Sequence, residues 1–185
     1  KIVCPNNLIK IAKRTGAVNA AIVNAGEIFP MESVHKAVQH NLINPTFIGD
    51  ESEIKKYADK LKWNISNYKI INERDEDSTA PIAAKLASDD KVKIIVKGHI
   101  HTDVLMKAVL KRDLNLIGKK RLSHVWHMTL DKNDKPFIIT DGALNVLPKL
   151  ETKMHILKNS VDFAKRIGIN KPKVSVLSAT EEVLE

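Results

Sequence analysis

Along the first two thirds of the chain, short apolar runs alternate with stretches where apolar residues recur every three or four positions. Ala20 to Val23, Thr46-Phe47-Ile48, Lys69 to Ile71 and Val92 to Val96 are short and β-branched or apolar, as buried strands are. Between them lie helical stripes: Met31, Val34, Ala37 and Val38; then Ile54, Tyr57, Ala58 and Leu61; then Ile82, Ala83, Leu86 and Ala87; then Val104, Leu105, Ala108 and Val109. A further stripe, Leu8, Ile9 and Ala12, precedes the first strand, with Asn6 or Asn7 as its cap and Gly16 as its stop.

The boundary residues sharpen these limits. Asn24-Ala25-Gly26-Glu27 closes the first strand, and the second helix is expected over Met31 to Asn41. Pro45 opens the second strand, Gly49 ends it, and Asp50 caps the third helix. Glu73 to Asp77 reads as a charged surface loop, with Pro81 in the first turn of the fourth helix. Gly98 breaks the strand Val92 to Val96, and Thr102 or Asp103 supplies the cap of the fifth helix.

Strands alternating with helices through short loops predict a mainly parallel sheet with helices on both faces. The pattern then changes. Ser123 to Leu130 and Phe137 to Thr140 read as a hairpin around Asp131 to Lys135. His124 and His127, three apart, would lie on opposite faces of its first strand. A long helix follows Pro148, with Leu150, Met154, Leu157, Val161 and Ala164 as its stripe and Gly168 just beyond its end. Val174 to Leu177 reads as a last strand. The expected division is a first α/β domain over residues 1–122, then a hairpin and the start of a second α/β domain over residues 123–185.

The 185 residues are 43% hydrophobic and 28% charged, which suits a folded core. No apolar run approaches the roughly 20 residues of a membrane helix, and no secretory signal opens the chain. The lone Cys4 cannot form an internal disulfide, so a reducing cytoplasm is expected. The first residue is Lys1, so the natural start is expected to lie upstream. A net charge of +8 fits a partner carrying phosphate. With four Phe, two Trp and two Tyr there are few platforms for stacking bases, and no nucleic-acid motif is present.

The turn Lys97-Gly98-His99-Ile100-His101-Thr102-Asp103 lies between a strand and a helix. In an open parallel sheet, ligands bind just past the carboxyl ends of strands, and free amides at a helix start favour an anion. His101, Thr102 and Asp103 are therefore candidate anion-binding residues, with Lys97 beside them. Capping alone also accounts for Thr102 and Asp103. His99 and His101 lack a third ligand nearby, so no metal site is expected.

That turn, together with Arg121-Leu122-Ser123-His124-Val125, Ile139-Thr140-Asp141-Gly142-Ala143-Leu144-Asn145 and Pro172-Lys173-Val174-Ser175-Val176-Leu177-Ser178-Ala179, resembles the phosphate acetyltransferase and phosphate butyryltransferase family, nearer the butyryl type. Pro45-Thr46-Phe47-Ile48-Gly49-Asp50 fits the same pattern upstream, and the resemblance runs from about Leu8 onward. It implies two α/β domains of the isocitrate and isopropylmalate dehydrogenase-like architecture with the active site in the cleft between them, usually as a homodimer. It implies acyl transfer between phosphate and coenzyme A, with acyl-coenzyme A, phosphate or acyl phosphate, and coenzyme A as substrates and no covalent cofactor. Family members continue well past the last segment found here, so the family's remaining acyl-phosphate site is expected outside these residues. His127 stands where the family usually has an apolar residue.

Arg121 is the foremost phosphate candidate: its guanidinium fork can hold two phosphate oxygens, although a solvated basic loop explains Lys119-Lys120-Arg121 equally well. Ser123 is a possible catalytic donor to phosphate or carbonyl, or a plain strand-start serine. Asp141 and Asn145 flank Gly142 and either orient substrate or close a turn through side-chain bonds to backbone. The alternative to an acyltransferase is a truncated or degenerate relative that binds an anionic ligand without turnover. A nucleic-acid-binding protein is suggested by charge alone.

Overall fold

The computed structural model describes residues 4–118, 120–129 and 136–178. The chain divides into two compact units, Lys1–Lys119 and Lys120–Glu185.

The first unit holds α1 (Asn6–Lys13), β1 (Val18–Val23), α2 (Ile28–Gln39), β2 (Ile43–Gly49), α3 (Glu51–Lys60), β3 (Lys69–Asn72), α4 (Glu76–Ser88), β4 (Ile94–Lys97) and α5 (Thr102–Val109). The strands form one sheet in the order β3-β2-β1-β4, with every pairing parallel. The centre is β1, whose alternating side chains feed two cores. Ala20 and Ile22 pack with Met31 and Val34 of α2 and Ile54 and Ala58 of α3. Ala21 and Val23 pack with Ala80, Ala83 and Ala84 of α4 and Leu105 and Ala108 of α5. Small residues on β1 and α4 let that helix lie close across β1, β2 and β4. The expected parallel sheet with helices on both faces is thus what forms.

Several boundaries move. Pro45 lies inside β2, a central strand, rather than opening it. The carbonyl of Ile48 accepts from Ala25 beyond β1, and that of Gly49 accepts from Glu73 beyond β3. Polar groups alternate sides along a parallel strand. Pro45 therefore turns its missing N–H toward β3, whose pairing starts only at Thr46, so no ladder bond is lost. α2 begins three residues early, at Ile28.

α4 begins at Glu76, so Glu73 to Asp77 is not all loop and Pro81 sits in the helix interior. Asp75 decides this: its carboxylate accepts from the Asp77 N–H and from Ser78 Oγ at 2.6 Å. Asp50 caps α3 as expected, accepting from the Ser52 N–H at 2.8 Å. The α1 cap is Pro5, not Asn6 or Asn7, which are helical. β4 is shorter than Val92 to Val96 and lies at the sheet edge among the described residues, leaving Ile94 39% exposed.

The second unit contains β5 (Val125–Met128), β6 (Phe137–Thr140) and α6 (Leu150–Arg166). β5 and β6 pair antiparallel, with Met128 opposite Phe137. The expected first strand is trimmed at its start, so Ser123 and His124 precede it; Leu130 and the loop Asp131 to Lys135 lie outside the described residues. α6 packs against β6. The cross-strand pairs Trp126–Ile139 and Met128–Phe137 share the other face, where all four side chains are exposed. Gly168 follows α6 at φ 95°, the left-handed residue that ends a helix. Val174 to Leu177 does not form a strand: no neighbour pairs its backbone among the described residues, and Val176 and Leu177 are exposed.

Candidate functional site

In the order β3-β2-β1-β4, the chain leaves β1 toward β2 and later returns to β1's other side as β4. The loops after β1 and β4 diverge there, and in open parallel sheets that switch point is where ligands bind. The turn Lys97 to Asp103 lies at it.

Backbone joins the two loops. The Gly98 N–H donates to the Val23 carbonyl at 2.8 Å, and the His99 N–H to that of Asn24 at 2.9 Å. Asn24, left-handed at φ 51°, returns its side-chain amide to the His99 carbonyl. A Cβ on Gly98 would stand 2.4 Å from the carbonyl oxygens of Val23 and Asn24, so only glycine permits this approach.

The residue that caps α5 is His101, in place of Thr102 or Asp103, and no side chain caps the helix. Glu76, the first residue of α4, reaches across: one carboxylate oxygen accepts both the backbone N–H of His101 and its ring Nδ1, the latter at 2.8 Å. The His101 backbone N–H, then its ring, hold the Glu76 carboxyl below its usual range, against a smaller effect of burial. His99 Nδ1 is 3.2 Å from a Glu27 carboxylate oxygen at the start of α2. Each of the two histidines thus has a carboxylate from the start of a helix, α2 for His99 and α4 for His101. Lys97, Thr102 and Asp103 are exposed at the same edge. Glu27, Glu76 and Asn24 are not singled out by the sequence. The usable signal for Glu76 is Asp75, which as a helix cap carries Glu76 out of the loop.

A groove of about 740 Å³ lies elsewhere, along edge strand β3 between Lys55, Trp63 and Tyr68. Its Lys55 is already paired with Glu51 at 2.6 Å, and it does not include the switch-point loops.

In the second unit, Asp141 organises the segment before β5. One carboxylate oxygen accepts the His124 N–H at 2.6 Å, and the other accepts the Asn145 N–H at 2.7 Å and its side-chain amide at 2.6 Å. Partial burial pushes the Asp141 carboxyl up, but bonds from His124, Asn145 and Leu144 together outweigh it and hold it below the usual value. Asn145 also donates to the Leu122 carbonyl at 2.9 Å. Asn159 of α6, another residue the sequence does not flag, donates to the Arg121 carbonyl at 2.8 Å and reaches Ser123 Oγ at 3.1 Å. Asp141, Asn145 and Asn159 thus fix the backbone around Arg121 and Ser123, while the Arg121 residue is exposed. Gly142 is held open by Trp126, whose Nε1 would lie 2.7 Å from an added Cβ.

The model of the family described as phosphate acetyl/butaryl transferase matches residues 76–183. The chain belongs to that family. The match spans Glu76, the turn after β4, the Arg121 segment and the Asp141 network. The chain is similar to a phosphate acetyltransferase of Rickettsia typhi, 35% identical over 96% of this chain and 51% of that protein. It is 30% identical to a phosphate butyryltransferase of Clostridium acetobutylicum, over 96% of this chain and 59% of that one. Among solved structures, a branched-chain phosphotransacylase from Enterococcus faecalis V583 matches with a TM-score of 0.70 and 28% identity, over 89% of this chain and 57% of that one. The chain therefore spans about half the length of the curated transferases it matches.

Proposed function

We propose that the protein carrying this chain transfers an acetyl or butyryl group between phosphate and coenzyme A, in the reaction acyl-coenzyme A + phosphate = acyl phosphate + coenzyme A. In the direction of thioester formation, the thiol loses its proton and the sulfur bonds the acyl carbon. The carbon–oxygen bond to phosphate breaks, and phosphate leaves with the electron pair. Arg121 holds the phosphate with its fork, and Lys97 with the Thr102 and Asp103 end of α5 favours anionic substrate at the switch point. Ser123 donates a hydrogen bond to phosphate or to the acyl carbonyl. Asp141 and Asn145 act from behind, by fixing the backbone that carries Arg121 and Ser123. The protein works as a homodimer in the cytoplasm; the exposed face formed by Trp126, Met128, Phe137 and Ile139 supports a buried surface there.

The observation that carries the reading is the family match over residues 76–183, which takes in every one of these residues. The test is release of coenzyme A thiol from acetyl- and butyryl-coenzyme A by the full-length protein. Phosphate-dependent release is expected. Tight binding of acyl-coenzyme A without release would favour an anion-binding relative that does not turn over.

A further inference from the structure

Asn159 stands in the middle of α6, where an amide side chain adds nothing to the helix itself. Its bonds leave the helix: Nδ2 donates to the Arg121 carbonyl at 2.8 Å and lies 3.1 Å from Ser123 Oγ. The Arg121 carbonyl can only accept, so the atom facing it is the amide nitrogen and not the amide oxygen. An amide nitrogen only donates, so at Ser123 it is again the donor, through its second N–H. Ser123 Oγ is therefore the acceptor of that bond. A hydroxyl carries one proton, and among the described residues Ser123 gives it to no acceptor. Ser123 is half-buried just before β5, two residues after the exposed Arg121. Arg121, Ser123 and Asn159 all belong to the second unit.

We propose that Asn159 is a positioning residue that fixes the Ser123 hydroxyl as a donor and aims its proton at an oxygen of the phosphate held by Arg121. The inference rests on the acyl-transfer reading and deepens it, by choosing phosphate over the acyl carbonyl as the partner of Ser123. One Asn159 nitrogen ties the backbone of Arg121 to the side chain of Ser123, so the guanidinium and the hydroxyl start from one braced platform. A freely rotating hydroxyl spends part of its time with a lone pair toward an anion. A hydroxyl whose lone pair already accepts from Asn159 meets the anion proton first, as a charge-assisted bond requires. Ser123 keeps its proton throughout, and no bond to its oxygen forms or breaks. When acyl phosphate is the substrate, the carbon–oxygen bond breaks with its electron pair on phosphate, and the Ser123 hydrogen bond stabilises the added charge.

The test is a double-mutant cycle on the full-length protein, read as the KM for phosphate. Ser123→Ala and Asn159→Leu should each raise it about 10–100-fold, the loss of a hydrogen bond to a charged group, with the KM for acyl-coenzyme A unchanged. In Ser123→Ala the further change Asn159→Leu should add little, because both act through one hydroxyl and Asn145 still holds the Leu122 carbonyl. Asn159→Gln, which keeps the amide donor, should recover part of the loss. A residue that only braced the Arg121 backbone would give the same factor for Asn159→Leu with or without the serine, and that result would overturn the proposal. So would an unchanged KM for phosphate in Ser123→Ala, a variant that removes one oxygen and leaves α6 intact. A wild type with no acyl transfer would remove the function proposed above. Phosphorus NMR titration with inorganic phosphate would then read the same hydroxyl, with weaker binding expected in Ser123→Ala and in Asn159→Leu. No binding by the wild type, or equal affinity in all three proteins, would overturn the proposal.

Discussion

Asp141 binds the backbone of His124 from seventeen residues away, its carboxylate accepting the His124 N–H at 2.6 Å. Asn145 occupies the other carboxylate oxygen, so the carboxylate clamps the strand entry that carries Arg121 and Ser123. Asp141→Ala should destabilise the second unit by about 1.5–3 kcal/mol, the cost of losing hydrogen bonds to a charged group. The Asp141 carboxyl is depressed in the fold, so its stabilisation is present above the ordinary value of 3.8 and is lost as pH falls through the lower folded value. Denaturant midpoints of wild type and Asp141→Ala should therefore differ at neutral pH and converge in acid. A constant gap across that range would contradict a charged clamp.

Gly98→Ala should fail for a reason internal to the first unit. The new Cβ would meet two carbonyl oxygens at 2.4 Å, and relieving that contact pulls β4 away from β1. A loss of about 1–3 kcal/mol is expected, as for other forced overpacking. Gly118→Ala, with no atom of the described residues within 4 Å of the added carbon, should stay within about 0.5 kcal/mol of wild type. Equal melting shifts for the two variants would refute the close approach.

The mainly parallel sheet with helices on both faces is legible because each strand of the first unit is a short apolar run and each helix keeps its stripe, whereas the order β3-β2-β1-β4 is not. The ends were less legible, because they depend on contacts between distant residues. Pro45 looks like a strand opener until the late start of β3 supplies a side where its missing N–H costs nothing. Asp75 is hidden in a run of charges, so pattern alone starts α4 about a turn late and leaves Glu76 in a loop. Asp50, by contrast, directly precedes a clear stripe and was readable as a cap. The turn Lys97 to Asp103 could be placed at a strand end from local pattern. Its carboxylate partners are not legible from local pattern: the β1–β4 pairing brings Glu27 beside His99, and the packing of α4 against α5 brings Glu76 beside His101. Val174 to Leu177 shows the limit of apolar pattern, which gives a strand's composition but not its neighbour.

Arg121 separates binding from stability. Its carbonyl is held by Asn159 while the residue is exposed, so neither Arg121→Lys nor Arg121→Ala should move the melting temperature appreciably. Loss of the guanidinium contact should raise the KM for phosphate about 10–100-fold, equivalent to about 1.5–3 kcal/mol. Lysine should rescue only in part, since a point charge replaces a two-pronged donor. Wild-type phosphate kinetics in both variants would exclude Arg121 from the phosphate site.

Phe47 tests whether the core face that supports β1 is as tightly built as it looks. It is fully buried and meets Trp63 edge-on, with centroids 5.7 Å apart. Phe47→Ala should cost about 3–5 kcal/mol. A denaturant midpoint close to that of wild type would contradict the packing described.

The most direct measurement of the central claim follows both products at once. The full-length protein is incubated with acetyl- or butyryl-coenzyme A and inorganic phosphate, and acyl phosphate is quantified by phosphorus NMR alongside free thiol. The account predicts that the two appear in equal amounts and that thiol release stops when phosphate is withheld. Thiol release with no acyl phosphate would mean hydrolysis, and would contradict transfer to phosphate.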